Sequence, residues 1–314
     1  MDQPALVIVL RLLVGLVFST AIGILAYRRK SLARSGVAGA MLTGTLIFGF
    51  GGIVSGLLLI VFFITSSALS HYKALRKQAV AEQFDKGNRR DLGQALANGG
   101  VPAVFAVCGG LALLARYSPQ VVVLSFTASL GALAAANADT WATELGVLSR
   151  QSPRLITRLS QVVEPGTSGG ITRAGTLAAA AGAGLIGLAN LVLQQCSAGL
   201  FTGEGVWWLV LSNLHMPGLG QAILLLLAGL AGGLGGALID SLLGATVQAM
   251  FYSASRARTT ERRFERDGTP NRRLRGWPWL NNDWVNFFST LCGAGISVAV
   301  IAALYPGFGA TWFA

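Results

Sequence analysis

Apolar runs near twenty residues long recur along this chain, at roughly 5–27, 36–50, 53–70, 93–115, 120–141, 173–195, 219–250 and 283–305. A helix needs ~20 residues to cross the ~30 Å hydrocarbon core of a bilayer, and such a helix satisfies its own backbone polar groups there. Eight such runs in 314 residues predict an all-α fold, a polytopic integral membrane protein of about eight transmembrane helices forming a single membrane domain over 1–314. The mean hydropathy of +0.60 and the 12% content of charged residues agree. The 41 glycines sit inside apolar runs rather than polar ones, as expected where small residues let membrane helices approach closely. The second run is short and Gly-rich, so it is a short span or a re-entrant segment. The seventh is longer than a bilayer requires, so it tilts, breaks or projects beyond it.

A net charge of +11 would suit a nucleic-acid partner if it were spread over a surface, but here it is confined to a few loops. Arg28, Arg29, Lys30 and Arg34 occupy the first, and Lys73, Arg76, Lys77, Lys86, Arg89 and Arg90 occupy 71–92. Arg150, Arg154 and Arg158 fall in 146–172, and eight arginines fall in 252–280. The segment 196–218 and the C-terminal tail have no Lys or Arg, and Arg116 is the one exception on their side. With eight spans every basic loop lies on one face. The positive-inside rule makes that face cytoplasmic and both termini extracytoplasmic, in a bacterial-type plasma membrane. The cytoplasmic loops are then about 71–92, 146–172 and 252–280, and nucleic acid is not the partner. Asp2 is the only charged side chain ahead of the first apolar run, so no cleaved signal is expected. Cys108, Cys196 and Cys292 have no ligand spacing and read as packing residues. His71 and His215 fall on opposite faces, which excludes a shared histidine site.

The sequence also suggests a parallel duplication of four-helix halves. Spans 2–4 and 6–8 each hold a small-residue helix pair, a long basic loop and a helix that opens on asparagine, as in Leu96-Ala97-Asn98 against Leu280-Asn281-Asn282.

The polar residues converge on the cytoplasmic face. Asp139 and Glu144 end the fifth span, Asp240 lies in the inner half of the seventh, and Asn98 and Asn282-Asp283 open the fourth and eighth. A carboxylate at bilayer depth costs roughly 2.5–3.5 kcal/mol, and helix C-termini disfavour anions further. These acids therefore require a partner, either a cation or an arginine. At 100° per residue Asn137, Thr140 and Glu144 fall within about 60° of one another, whereas Asp139 lies about 140° from Glu144. Both can reach one ion only if the helix ends or bends between them. Asn282, Asn286 and Ser289 form a polar stripe at i, i+4 and i+7, while Asp283 reads equally as a first-turn acid. Ser241 flanks Asp240, whose alternative role is an ion pair fixing helix register. The turn Gly166-Thr167-Ser168-Gly169-Gly170 precedes the sixth span. Its glycines allow backbone N–H groups to point into a concavity suited to phosphate, although it lacks the Gly-Lys-Ser/Thr ending of a Walker loop.

The strings Ala138-Asp139-Thr140-Trp141-Ala142-Thr143-Glu144-Leu145-Gly146, Pro165-Gly166-Thr167-Ser168-Gly169-Gly170, Ile239-Asp240-Ser241-Leu242-Leu243-Gly244-Ala245 and Asn282-Asp283-Trp284-Val285-Asn286, with Asn98-Gly99-Gly100 earlier, occur in order. Together they resemble the integral-membrane family of domain of unknown function 92, which includes transmembrane protein 19 and the plastid phytyl-phosphate kinase. The resemblance covers nearly the whole chain; Glu164 stands where the family motif often has a further proline. It implies a kinase that moves a phosphoryl group from a nucleoside triphosphate, CTP favoured, to a phytyl or prenyl monophosphate. On that reading Asp139, Glu144, Asp240 and Asp283 are catalytic and hold Mg²⁺. Asn98, Gly99, Thr140, Gly166, Thr167, Ser168, Gly169, Gly170, Ser241, Asn282 and Asn286 bind substrate and phosphate. The alternatives are a transporter or lipid flippase, since interrupted helices and intramembrane acids are shared with transporters, and a structural or assembly protein.

Overall fold

The computed structural model describes residues 3–74, 76–77, 89–200, 218–265 and 267–304. Lys86, Arg266, His215, the greater part of the segment 196–218 and the C-terminal tail lie outside the described residues. The helices are α1 (Gln3–Arg28), α2 (Arg34–His71), α3 (Leu92–Leu114), α4 (Pro119–Gly146), α5 (Arg173–Leu200), α6 (Gly218–Thr246) and α7 (Asn282–Leu304). All seven are long and apolar enough to cross a membrane.

The 38-residue α2 accounts for two of the eight apolar runs, because it doubles back on itself. Gly52 interrupts it with φ 75° and ψ −175°, a backbone region that only glycine enters readily. Leu59 lies 3.7 Å from where a Cβ on Gly44 would sit, although in a straight helix these residues would be roughly 22 Å apart. The segments 34–51 and 53–71 are therefore antiparallel arms. The first is about 27 Å long at 1.5 Å per residue, close to the thickness of a hydrocarbon core.

Helix α4 is the axis of the bundle. Every residue from Ser125 to Ala138 is buried, and α2, α3, α5, α6 and α7 all pack on it. The two candidate repeat units thus flank α4. The contacts are made through small residues: a Cβ on Gly233 would come 2.5 Å from Ala183 and 3.1 Å from Ala134, and one on Gly293 2.7 Å from Ala135. Hydroxyls tie neighbouring helices to one another, with Ser129 Oγ donating to Pro102 O at 2.9 Å and Ser297 Oγ to Ala228 O at 2.7 Å. A larger apolar cluster of Phe62, Phe126, Leu130, Ile186 and Leu225 fills the middle.

The basic segments gather at one end. Ala33 N donates to Arg90 O at 2.9 Å, Lys77 meets Glu144, and Arg275 donates to Ser168 O at 3.2 Å. Two small antiparallel sheets stand there, so the fold is mostly helical rather than wholly so. One comprises β1 (Arg154–Leu155), β2 (Arg158–Val162) and β3 (Gly170–Ile171) in the order β2-β1-β3. The other comprises β4 (Met250–Ser253), β5 (Arg258–Thr260) and β6 (Arg272–Arg275) in the order β5-β4-β6. The seventh span therefore stops at Thr246, short of 250. Cys108 and Cys196 are exposed on the outside of the bundle and only Cys292 is partly buried, so the first two are not packing residues. His71 is exposed, and its Nδ1 lies 2.8 Å from Ser67 O.

Candidate functional site

A cavity of about 630 Å³ lies at the basic end, among the ends of α2 to α7 and beneath the two sheets. Its wall includes Asn98, Asp139, Thr140, Glu144, the turn Gly166 to Gly170, Asp240, Ser241, Asn282, Asp283 and Asn286. Of the residues expected to bind or react, Gly99 alone is absent from this wall. It faces the other way, with its Cβ position 3.1 Å from Thr43, so it is a packing contact between α3 and α2.

The acids divide into two groups. Asp139 on α4 and Asp240 on α6 line the same cavity, near enough for their like charges to interact. Among the described residues neither has an ion-pair partner. With the Asn286 amide turned so that its nitrogen faces acceptors, Nδ2 donates to Asp240 Oδ2 at 3.0 Å and to Asn282 O at 3.2 Å. The Ser289 hydroxyl, one turn on from Asn286 at i+3, donates to Asn286 O at 2.9 Å. The polar stripe on α7 is thus the support of Asp240.

Glu144 belongs elsewhere. Helix α4 runs unbroken to Gly146, so the bend needed for Asp139 and Glu144 to share one ion does not occur. Glu144 Oε2 pairs with Lys77 Nζ at 2.6 Å, and Oε1 accepts from Ser70 Oγ at 2.5 Å. Arg90 adds a second positive charge beside it; burial pulls the guanidinium below its usual range, and Glu144 opposes that pull. Thr140 lines the cavity while its Oγ1 donates to Ala136 O at 2.9 Å.

The Gly-rich turn is set against the end of α6. Gly166 and Gly169 have φ of 88° and 82°, conformations that side chains with a Cβ rarely adopt. A Cβ on Gly169 would collide with Ala245, and one on Gly244 would lie 2.7 Å from Ser168 Oγ. Ser168 Oγ donates to Gln248 Oε1, and Gln248 Nε2 donates to Glu261 Oε1 at 2.9 Å. Arg275 spans the seam, donating to Ala245 O and to Ser168 O. The turn, α6 and the second sheet are therefore one rigid wall.

Ser70, Lys77, Arg90, Gln94, Glu261 and Arg263 also line the cavity; the sequence offers the arginines of 71–92 and 252–280 to neutralise charge but singles out none of these six. One signal for them was present. Asp91 caps α3 and forms a capping box with Gln94, which fixes the helix start and puts Gln94 and Asn98 on one face at i, i+4. Asp283 stands in the first turn of α7 and in the cavity wall, so it serves the helix dipole there as well.

Among the described residues no group of three or more His, Cys, Asp or Glu side chains is gathered as a closed metal cage. The donors present are carboxylates and amides. A hard cation such as Mg²⁺ takes one or two protein carboxylates and completes its shell with water and phosphate oxygens, so Asp139 and Asp240 fit it.

Fold and site together define a polytopic helical membrane protein with an acid-lined polar cavity at one end of the bundle. The chain belongs to the integral membrane protein family DUF92, whose family model matches residues 17–294. It is 36% identical over 287 residues to Protein PGR of Arabidopsis thaliana, covering 90% of this chain and 93% of that one. It is 31% identical over 304 residues to an uncharacterized membrane protein of Methanocaldococcus jannaschii, covering 97% of this chain and 100% of that one. No solved structure matches it.

Proposed function

We propose that this protein is a membrane isoprenoid-phosphate kinase, transferring the terminal phosphoryl group of a nucleoside triphosphate, CTP favoured, to a phytyl or prenyl monophosphate at the cytoplasmic membrane surface. The observation that carries the reading is the enclosure of Asp139 and Asp240 with the Gly166–Gly170 turn in one cavity. Phosphoryl transfer is governed by placement and charge neutralisation. An oxygen of the acceptor phosphate forms a bond to the terminal phosphorus, the bond from that phosphorus to the bridging oxygen breaks, and the nucleoside diphosphate leaves. The acceptor oxygen is already ionised, so no general base is required.

Asp139 and Asp240 would hold Mg²⁺, which when bound neutralises donor phosphate charge. Asn286 fixes the Asp240 carboxylate, and the tie from Ser168 to Gln248 holds the turn in place. Arg263, which lines the cavity between β5 and β6 in the chain, would meet the nucleotide phosphates. The acceptor's tail remains in lipid, at roughly 0.8 kcal/mol per buried CH₂, while its phosphate enters from the interface.

The depth of the acids favours this reading over a transporter. Asp240 precedes the end of α6 by six residues and Asp139 precedes that of α4 by seven, about 9–10 Å at 1.5 Å per residue. With the helix ends at the membrane surface, the acids would lie near that surface rather than at the ~15 Å midplane of a bilayer core. The test is diphosphate formation by purified protein given geranylgeranyl monophosphate, Mg²⁺ and each nucleoside triphosphate in turn. Wild-type activity lost in Asp139→Asn and Asp240→Asn supports the reading. Full activity in both variants would refute the metal-site mechanism, and substrate movement across vesicles without phosphorylation would establish the transporter.

A further inference from the structure

Lys77 and Arg90 are two cations beside one anion, Glu144. Glu144 already accepts from Lys77 and Ser70, so among the described residues that line this corner of the cavity one positive charge is in excess. Lys77 is 8% exposed, and its Nζ also donates to Leu69 O at 2.7 Å; its position is fixed. The Arg90 guanidinium lies over the Phe62 ring, 5.8 Å from its centroid. Among the described residues no hydrogen bond or ion pair engages the Arg90 side chain. A guanidinium has five N–H donors and remains protonated in proteins, so this one lines the cavity with its donors available as far as the described residues go.

The Arg90 backbone is held from both sides. Its N–H donates to Ser31 O at 3.1 Å, its carbonyl accepts from Ala33 N at 2.9 Å, and Leu32 bridges to it in parallel register. Asp91 caps α3 immediately afterwards. An arginine anchored in this way, stacked on an aromatic ring and aimed into a polar cavity, is built to receive an anion rather than to decorate a loop.

The corner is separate from the acid pair. Glu144 follows Asp139 on the unbroken α4 by five residues, about 7.5 Å along the axis and 140° around it. The cavity is therefore bipolar, with Asp139 and Asp240 at one pole and Arg90 and Lys77 at the other. Gln94 and Asn98 line the wall near Arg90.

We infer that Arg90, backed by Lys77, is the subsite for the phosphate monoester of a single-chain lipid, distinct from the acid pole that takes a metal–nucleotide. The inference rests on the kinase reading for the single-chain lipid and for the role of the second pole, but the anion subsite stands on the Arg90 geometry alone. A monoester carries about 1.5–2 negative charges at neutral pH, as a phosphorylated side chain does, and two of its oxygens can accept bidentately from the planar guanidinium fork.

The test uses full-length protein in detergent, with dodecyl phosphate as probe and thermal stabilisation and affinity as readouts. Wild type is expected to bind dodecyl phosphate, and Arg90→Gln to lose ~10-fold or more in affinity, as for a charge-assisted hydrogen bond, while its response to Mg·CTP is unchanged. Arg90→Lys, which keeps the charge without the fork and covers the case in which the glutamine variant fails to fold, is expected to fall between them. Wild-type affinity for dodecyl phosphate in both variants would overturn the subsite. Equal binding of phosphatidic acid, or of inorganic phosphate, would overturn its assignment to a single-chain lipid monoester. If wild type phosphorylates nothing yet Arg90→Gln selectively loses dodecyl phosphate, the subsite stands and the kinase reading falls.

Discussion

Replacing Gly236 with alanine tests whether the small-residue contacts around α4 set the geometry of the site. A Cβ at 236 would lie 2.5 Å from the Ala135 Cβ, 3.0 Å from Ser289 O and 3.4 Å from the Gly293 Cα. Carbon atoms in contact sit ~3.5–4.0 Å apart, so α6 must move about 1–1.5 Å away from α4. None of the opposing atoms is the end of a flexible side chain, so rotamer changes give no relief. Overpacking of this kind costs about 1–3 kcal/mol. Gly236 lies one helical turn before Asp240 on the same face, so the displacement carries Asp240 away from Asp139. An ångström of misplacement at reacting groups can reduce turnover on the order of 10²-fold. Gly295 and Gly100 provide the controls, since a Cβ at either meets nothing within 4 Å. There alanine is expected to be neutral or to stabilise by up to ~1 kcal/mol through helix propensity. Thermal unfolding in detergent is the first assay and diphosphate formation the second. If Gly236→Ala unfolds at the wild-type temperature, or if Gly295→Ala is destabilised as much, the packing argument is refuted.

Two further outcomes are expected. Asn137 is fully buried, donates from Nδ2 to Gly182 O at 2.8 Å and accepts from Thr65 Oγ1 at 3.3 Å; Asn137→Ala should cost about 1–2 kcal/mol, near the upper range of interhelical hydrogen bonds in membranes, measured by thermal unfolding. The Glu265 carboxyl is held below its ordinary range, first by its hydrogen bond from Ser253 and further by Arg256, whose guanidinium lies 3.3 Å away. A depressed folded value gives stability that is complete above the unfolded value of ~4.3 and lost as pH falls through the folded one. Amide exchange across β4 and β5 should therefore accelerate below pH ~4, and Glu265→Gln should abolish that pH dependence.

The apolar runs and the one-sided distribution of Lys and Arg made the membrane fold legible, because hydropathy and loop charge act segment by segment. The site was legible wherever a motif carried its own anomaly: Asp240, Asn286 and the Gly166–Gly170 turn are unusual in their local surroundings, and all three line the cavity. Lys77 and Arg90 were hidden for the opposite reason. Six basic residues in 71–92 read collectively as a solvated loop, and only the meeting of α2 with α4 selects Lys77 while only the bridge at Leu32 selects Arg90. Asn98 and Gly99 show how far one residue carries: a 100° turn sends the first to the cavity and the second to Thr43. The two sheets had no period to read, since β2 is exposed along its whole length and β6 along most of it.

The burial of α4 bears on how family sequences should be compared. From Ser125 to Ala138 the helix has a neighbour on every side, and several of those neighbours leave no room for one more carbon atom. Substitutions in this stretch are constrained by steric fit long before chemistry is consulted. Invariant alanines and glycines there will mark volume, whereas an invariant Asp139 one residue beyond, or an invariant Arg90 in an otherwise drifting basic loop, will mark function. An aligned set of relatives should therefore be weighted against the available space at each position, or the most conserved helix will be mistaken for the most catalytic one.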